Sequence, residues 1–106
     1  MGNAPFDITI RPEADEQLQA LKTFELRKVL DAIKGSLSHE PDVETRNRKP
    51  LQDRRLVASF DYHPPLWELR VGDIRVFYDI DSGSRKVIVR AIRRKPPGKT
   101  TQEILR

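Results

Sequence analysis

Leu66-Trp-Glu-Leu-Arg-Val-Gly-Asp-Ile-Arg-Val-Phe-Tyr-Asp-Ile80 is the stretch that decides the fold. Trp67, Leu69 and Val71 alternate on the way in, and Ile74, Val76, Tyr78 and Ile80 on the way out. That period of two is the mark of strands with one buried face. Gly72-Asp73 between them suits a type II′ turn, with glycine at the first of two turn positions. A two-residue turn sets the register, so Val71 faces Ile74, Leu69 faces Val76 and Trp67 faces Tyr78. Those residues form the core side. On the other side Arg70 stands opposite Arg75. Like charges directly across a strand pair are destabilising, and a chain that keeps them is often holding them for an anion, of which phosphate is the commonest. The plainer alternatives are that both stems snorkel into solvent, or that Glu68 neutralises them from the same face.

Outward from the hairpin, the elements follow in order. Phe6, Ile8 and Ile10 predict a strand over 5–11. Pro12 starts a helix over about 12–22, with Glu13, Asp15 and Glu16 at its positive end and Ala14, Leu18 and Leu21 along one face. Thr23 is placed to cap a second helix, with Leu26, Val29, Leu30, Ile33 and Leu37 as its stripe and Pro41 as its stop. The connection is short, so the two should pair as an antiparallel helical hairpin covering a sheet. Residues 41–54 read as a polar loop. Arg55 to Tyr62 reads as a strand with Leu56, Ala58 and Phe60 on one side, broken by His63-Pro-Pro65. After the hairpin, Asp81-Ser-Gly-Ser84 is a turn and Val87–Ile92 a central strand. Arg93-Arg-Lys-Pro-Pro-Gly98 is a basic, proline-stiffened exit, and Ile104 and Leu105 can dock a last short turn. The class is α+β: an N-terminal strand, a helical hairpin, then an antiparallel-rich sheet of three to four strands.

At 106 residues this is a single domain, 1–106, with one core. Charged residues make up 34% of it, so the core is small and the surface densely charged. The charge is segregated. Residues 1–45 hold nine acids and five bases, 46–55 five bases against Asp53, and 85–106 eight bases against Glu103. One side of the fold should therefore show a positive field. No cysteine occurs, which removes disulfides and thiolate metal sites and fits a reducing cytoplasm. No apolar run suits a signal peptide or a membrane span. Two histidines without cysteine or spaced carboxylates make no metal site, and no cofactor is implied.

Three stretches in this order, Thr45-Arg-Asn-Arg-Lys-Pro-Leu51, Trp67–Tyr78 and Val87-Ile-Val-Arg-Ala-Ile92 followed by Arg93-Arg-Lys95, resemble the RelE/ParE superfamily. Its members are toxins of bacterial type II toxin–antitoxin modules. The resemblance runs from Phe6 to about Lys95. It implies a helix pair on one face of the sheet and an open, concave, basic face on the other. It also implies a cognate antitoxin as partner, with a disordered, often acidic segment that orders on binding. RelE-like members cut mRNA in the ribosomal A site without metal: the ribose 2′-hydroxyl attacks the adjacent phosphate, and basic side chains stabilise the transition state. ParE-like members poison DNA gyrase instead. A third possibility is a non-catalytic member that only binds its partner or nucleic acid.

Carried over residue by residue, Arg75 matches the family's phosphate-gripping arginine. Arg94 and Lys95 lie where further basic active-site residues are placed. All three are therefore expected on the open face with Arg70. Two positions that often carry lysines in strongly active members hold Leu66 and Glu68 here, and the C-terminal tyrosine has no counterpart after Tyr78. Glu68 reads first as a salt-bridge partner of the arginines and second as a base, since adjacent cations favour the ionised carboxylate and weaken it as a base. Histidine is the usual proton shuttle near neutral pH, but His63 shows no partner in sequence and His39 lies at a helix end. Tyr78 reads as packing. Arg46, Arg48 and Lys49 form the candidate phosphate-tracking arm, in a loop that Asn47 and Pro50 shape.

Overall fold

The structure is a computed structural model and describes residues 4–52 and 55–106. Its centre is the hairpin of β3 (Leu66–Val71) and β4 (Ile74–Asp81). Gly72 takes φ +61°, the glycine-favouring region a type II′ turn needs at its first position. The pairs Trp67–Tyr78, Leu69–Val76, Arg70–Arg75 and Val71–Ile74 follow, in the register read from the sequence. β5 (Lys86–Arg94) pairs antiparallel to β4 on its far side. β1 (Asp7–Ile10) then pairs parallel to β5. β2 (Arg48–Leu51) completes the sheet antiparallel to β3, for a strand order of β1-β5-β4-β3-β2.

The strand count is one place where the sequence reading is corrected. Arg48–Leu51 read as loop because it is short, carries two charges and contains Pro50. These are features of an edge strand, where a missing ladder donor and exposed charge are tolerated. Residues 55–62 are the reverse case and form no strand. Leu56, Ala58, Phe60 and Tyr62 do pack together, but β2 already occupies the sheet edge beside β3.

Two helices cover the first face. α1 is Pro12–Gln19, with Glu13 and Asp15 in its first turn. α2 is Thr23–Leu37. Thr23 is the first helical residue, not the cap; Lys22 holds that position and no side chain caps the helix. Ala14, Leu18, Val29, Ile33 and Leu37 pack against Trp67, Leu69, Val76, Tyr78, Val87, Val89 and Ile92 to form the main core. β1 stops opposite Val89, which leaves the end of β5 an open edge. α1 closes it, where Gln17 Oε1 accepts the Ile92 N–H at 2.7 Å.

The second face is not open. A second, smaller core of Leu66, Phe77, Ala91 and Leu105 lies there, with Leu56, Ala58 and Phe60 packed on it. Leu105 belongs to α3 (Thr101–Leu105), which a reciprocal capping box between Thr100 and Glu103 starts. The expected concave basic face is thus partly roofed by 55–62 and α3, because Phe77 and Ala91 make its centre apolar.

One irregularity decides which side chains reach that face. Phe77 pairs with Ala91 and Tyr78 with Val89, so Arg90 is an extra residue in β5. Such a bulge reverses the alternation beyond it. Before it, Val87 and Val89 face the helices; after it, Ile92 does, and Ala91 joins the second core.

Candidate nucleic-acid interface

Cross-strand pairing lines up three guanidiniums. Arg70 pairs with Arg75, and Arg75 with Arg93, so three adjacent strands each place an arginine in one row on the second face. Lys49, opposite Glu68 on β2, adds a cation on the same side.

Such a row persists only if its repulsion is met. Glu68 meets much of it from one residue-pair away. Its Oε1 lies 3.6 Å from Arg70 Nε and 4.0 Å from Arg75 Nε, and its side chain is 0% exposed. The other oxygen, Oε2, accepts a hydrogen bond from Thr101 Oγ1 at 2.9 Å, so α3 sits over the carboxylate. Arg75 Nη1 donates to the Gly72 carbonyl at 2.8 Å and the Ile74 carbonyl at 3.1 Å, while Arg75 Nε and Glu68 Oε1 are buried without a hydrogen-bond partner. Arg93 is balanced by Glu13 of α1, 3.2 Å from its Nη2. Of the three, Arg70 is 48% exposed, whereas Arg75 and Arg93 are mostly covered, at 12% and 17%. A chain approaching the row meets Arg70 first.

No protein-family model matches this chain, and no curated protein matches it. Solved structures do. One is the RelE chain of the toxin–antitoxin complex RelBE2 from Mycobacterium tuberculosis, with 26% identity and a TM-score of 0.68 over 86% of this chain and 99% of that one. The chain is similar to RelE-type toxins. The archaeal RelE–RelB complex from Pyrococcus horikoshii OT3 matches at 21% identity and a TM-score of 0.65, over 90% of this chain and 98% of that one, and bears on the fold alone.

The expected site residues separate into two groups. Arg70, Arg75 and Lys49 share the second face around Glu68. Lys95 extends the β5 ladder by one residue, its N–H donating to the Asp73 carbonyl at 2.7 Å, which sets it beside the hairpin turn. Arg94 does not join them. The bulge at Arg90 turns it to the helix side, where Nη1 lies 2.9 Å from Asp73 Oδ2 and 3.0 Å from Glu25 Oε2 of α2. The hydrogen bond from Arg94 holds the Glu25 carboxyl below its usual range, and the two acids raise Arg94 further. Arg94 therefore ties the turn to α2, and Arg93 takes the row position expected of it. The Arg93-Arg94 doublet was visible in sequence, but only the bulge decides which member faces the row.

Arg48 is likewise not part of an exposed arm. It is buried, with Nε donating to the Val43 carbonyl at 2.7 Å and Nη1 to the Ser36 carbonyl at the end of α2. There it serves an unpaired helix-end carbonyl and favours the helix dipole. Arg46 remains exposed in the turn before β2. Leu66 and Glu68 are both fully buried where strongly active members often carry lysines. Tyr78 donates its hydroxyl to the Pro41 carbonyl at 2.7 Å, and burial pushes its ionisation well above the ordinary tyrosine value, so it packs and braces. His63 uses its backbone N–H on Asp79 Oδ2, and Asp79 also pairs with Arg90 at 2.8 Å. That buried pair was not foreseen; it fills the extra position the bulge creates. Among the described residues no group of three or more His, Cys, Asp or Glu side chains is placed to hold a metal ion, and no helix is long and apolar enough to cross a membrane.

Proposed function

We propose that this protein is the toxin of a type II toxin–antitoxin module, acting in the cytoplasm as a RelE-like, ribosome-dependent mRNA endonuclease that a cognate antitoxin restrains. The observation that carries the reading is the Arg70–Arg75–Arg93 row. Guanidinium forks match phosphate oxygens in pairs. Three of them at successive strand positions keep a repulsive arrangement that folding alone does not favour. The likeness to the RelE chain of the RelBE2 toxin–antitoxin complex supports the toxin role and the antitoxin partner.

In this mechanism the RNA backbone enters over Arg70 and Lys49 and seats its phosphate on Arg75. The ribose 2′-hydroxyl gives its proton to water and attacks that phosphate, the P–O5′ bond breaks, and the 5′-oxygen leaves with a proton from water, giving a 2′,3′-cyclic phosphate and a 5′-hydroxyl; Arg75, Arg93 and Lys95 stabilise the charge that develops on the phosphorane oxygens. Glu68 balances the row; buried beneath Thr101, it does not reach a substrate hydroxyl while α3 is docked. The antitoxin is attracted to the basic surface around Arg46 and the Lys95–Lys99 exit, so complex formation weakens as salt rises.

The test is a purified translation system with a defined message. Cutting at the A-site codon, dependent on ribosomes and blocked by the protein of the neighbouring reading frame, is expected. Trapped gyrase–DNA complexes with an intact message would replace this reading with the gyrase one, which the missing lysines at positions 66 and 68 favour. Neither effect would leave a binding-only member.

A further inference from the structure

The two outer edges of the sheet are finished differently. Arg70 donates its N–H to the Asn47 carbonyl, so Asn47, Lys49 and Leu51 face β3, and Arg48 and Pro50 face outward. Thr45 folds back on the first of these. Its N–H donates to the Arg48 carbonyl at 2.8 Å, and the Arg48 N–H donates to the Thr45 carbonyl at 3.3 Å. Pro50 has no N–H to offer. The β2 edge is thereby closed to a further strand. β1 carries no such device. Asp7 and Arg11 donate their N–H groups to the Arg85 and Val89 carbonyls at 2.9 and 3.0 Å. Alternate residues of a strand bond to opposite neighbours, so Ile8 and Ile10 aim their N–H and C=O groups away from β5. Among the described residues nothing meets those groups. An open edge of this kind is a template for another strand.

The sequence of β1 says which strand fits. Asp7-Ile-Thr-Ile-Arg11 is complementary to itself when reversed. Laid antiparallel about Thr9, Ile8 stands opposite Ile10 of a second copy, and Asp7 opposite its Arg11. In this register the hydrogen-bonded pairs are those of Ile8 and Ile10, the residues whose backbone groups point outward. Both isoleucines are half-buried against the main core, so pairing joins the cores of the two copies. Arg11 keeps the extended conformation, at φ −65° and ψ 152°, which carries the alternation to the end of the strand. Asp7, Thr9 and Arg11 are exposed. Neither the Asp7 nor the Arg11 side chain has an ion-pair or hydrogen-bond partner among the described residues. They fall at non-hydrogen-bonded positions, where facing side chains come closest.

We propose that β1 is a homodimerisation edge, through which two copies of this chain pair antiparallel over Asp7–Arg11 and join their five-stranded sheets into one. The two-fold axis at Thr9 stands perpendicular to the sheet. Both arginine rows therefore face the same side, and neither is covered. The inference does not rest on the RNA-cleaving reading. Strands this short bury less than a standard interface, so the dimer forms reversibly with concentration.

Sedimentation velocity of the full-length protein alone measures the assembly, and amide hydrogen exchange locates it. The expected result is a concentration-dependent species of twice the 12.3 kDa chain mass, with exchange at the Ile8 and Ile10 amides slowing as it forms. Arg11→Asp sets acid against acid at both ends of the pairing and should weaken the dimer by about tenfold or more. Adding Asp7→Arg reverses both charges and should restore affinity to within about threefold of wild type. Both positions are exposed, and circular dichroism checks that each variant is folded. A wild type that stays monomeric at NMR concentrations overturns the proposal. So does a dimer indifferent to Arg11→Asp, or a double variant as weak as the single one. Slowed exchange at Ile8 and Ile10 only after the protein of the neighbouring reading frame is added would give the edge to that protein and overturn the second-copy assignment.

Discussion

Replacing Glu68 by glutamine removes one buried charge and little else, since the amide oxygen can still accept the Thr101 hydroxyl. What is lost is the counter-charge for two arginines at 3.6 and 4.0 Å. At an effective dielectric constant of about 20, a charge pair at that separation attracts by about 4 kcal/mol. Arg70 is half in solvent, so its share shrinks to about 1 kcal/mol or less. Arg75 is mostly covered but has the Gly72 and Ile74 carbonyls as further partners, which soften the loss below the roughly 3–5 kcal/mol typical of a broken buried pair. The net expectation is a destabilisation of about 2–3 kcal/mol, or a fall in Tm of roughly 10–20 °C for a domain of this size. Urea unfolding of Glu68→Gln, Arg75→Ala and the double variant measures both the cost and its origin. The double variant should recover at least about 1 kcal/mol relative to the sum of the singles. Message cutting by Glu68→Gln at low temperature should match or exceed that of the wild type. A change below about 0.5 kcal/mol, within the range of ordinary surface substitutions, would refute the view that Glu68 holds the row together. Loss of cutting in a folded Glu68→Gln protein would make the carboxylate a base.

Arg48→Ala should cost about 3 kcal/mol, from two carbonyls left without a charged donor, while the salt dependence of RNA binding stays unchanged. Arg94→Ala should leave message cutting within about threefold of wild type, because the bulge aims Arg94 at Glu25 and not at the row. Glu25, Asp81 and Glu103 have carboxyls held below their usual range by bonds from Arg94, from Ser84 and from Thr100, respectively. Depressed carboxyl values stabilise the fold above the unfolded value, and that contribution disappears as pH falls through the folded one. Stability measured by urea unfolding should therefore fall on acidification below the ordinary carboxylate range, with a shallower fall in Glu25→Gln.

The hairpin was legible because a two-residue turn leaves no freedom in register, so the Arg70–Arg75 pair followed from the positions of Gly72 and Asp73 alone. Arg93 was not legible as its neighbour. Strict alternation from Val87 puts Arg94 on the open side, and a single unpaired residue at Arg90 reverses that outcome without any glycine to announce it. The edge strand at Arg48–Leu51 was hidden by the charges and the proline that suit an edge. Arg48 shows the limit most clearly. It stands between Arg46 and Lys49 in a run of bases, and only the packing of the 36–43 segment turns it inward. The apolar alternation of Leu56, Ala58 and Phe60 was read correctly as one side. That this side would roof the sheet unpaired depended on β2 taking the edge first.

The most direct test of the arginine row compares wild type with Arg75→Ala in single-turnover cutting of a defined message on programmed ribosomes. Arg75 lies on the second face, outside the main core; its removal breaks the pair with Glu68 but relieves repulsion from two neighbours and leaves Arg70 as the counter-charge of Glu68. The account predicts a cutting rate lower by a factor of about 10² or more with the fold retained by circular dichroism. Equal rates for the two proteins would contradict it.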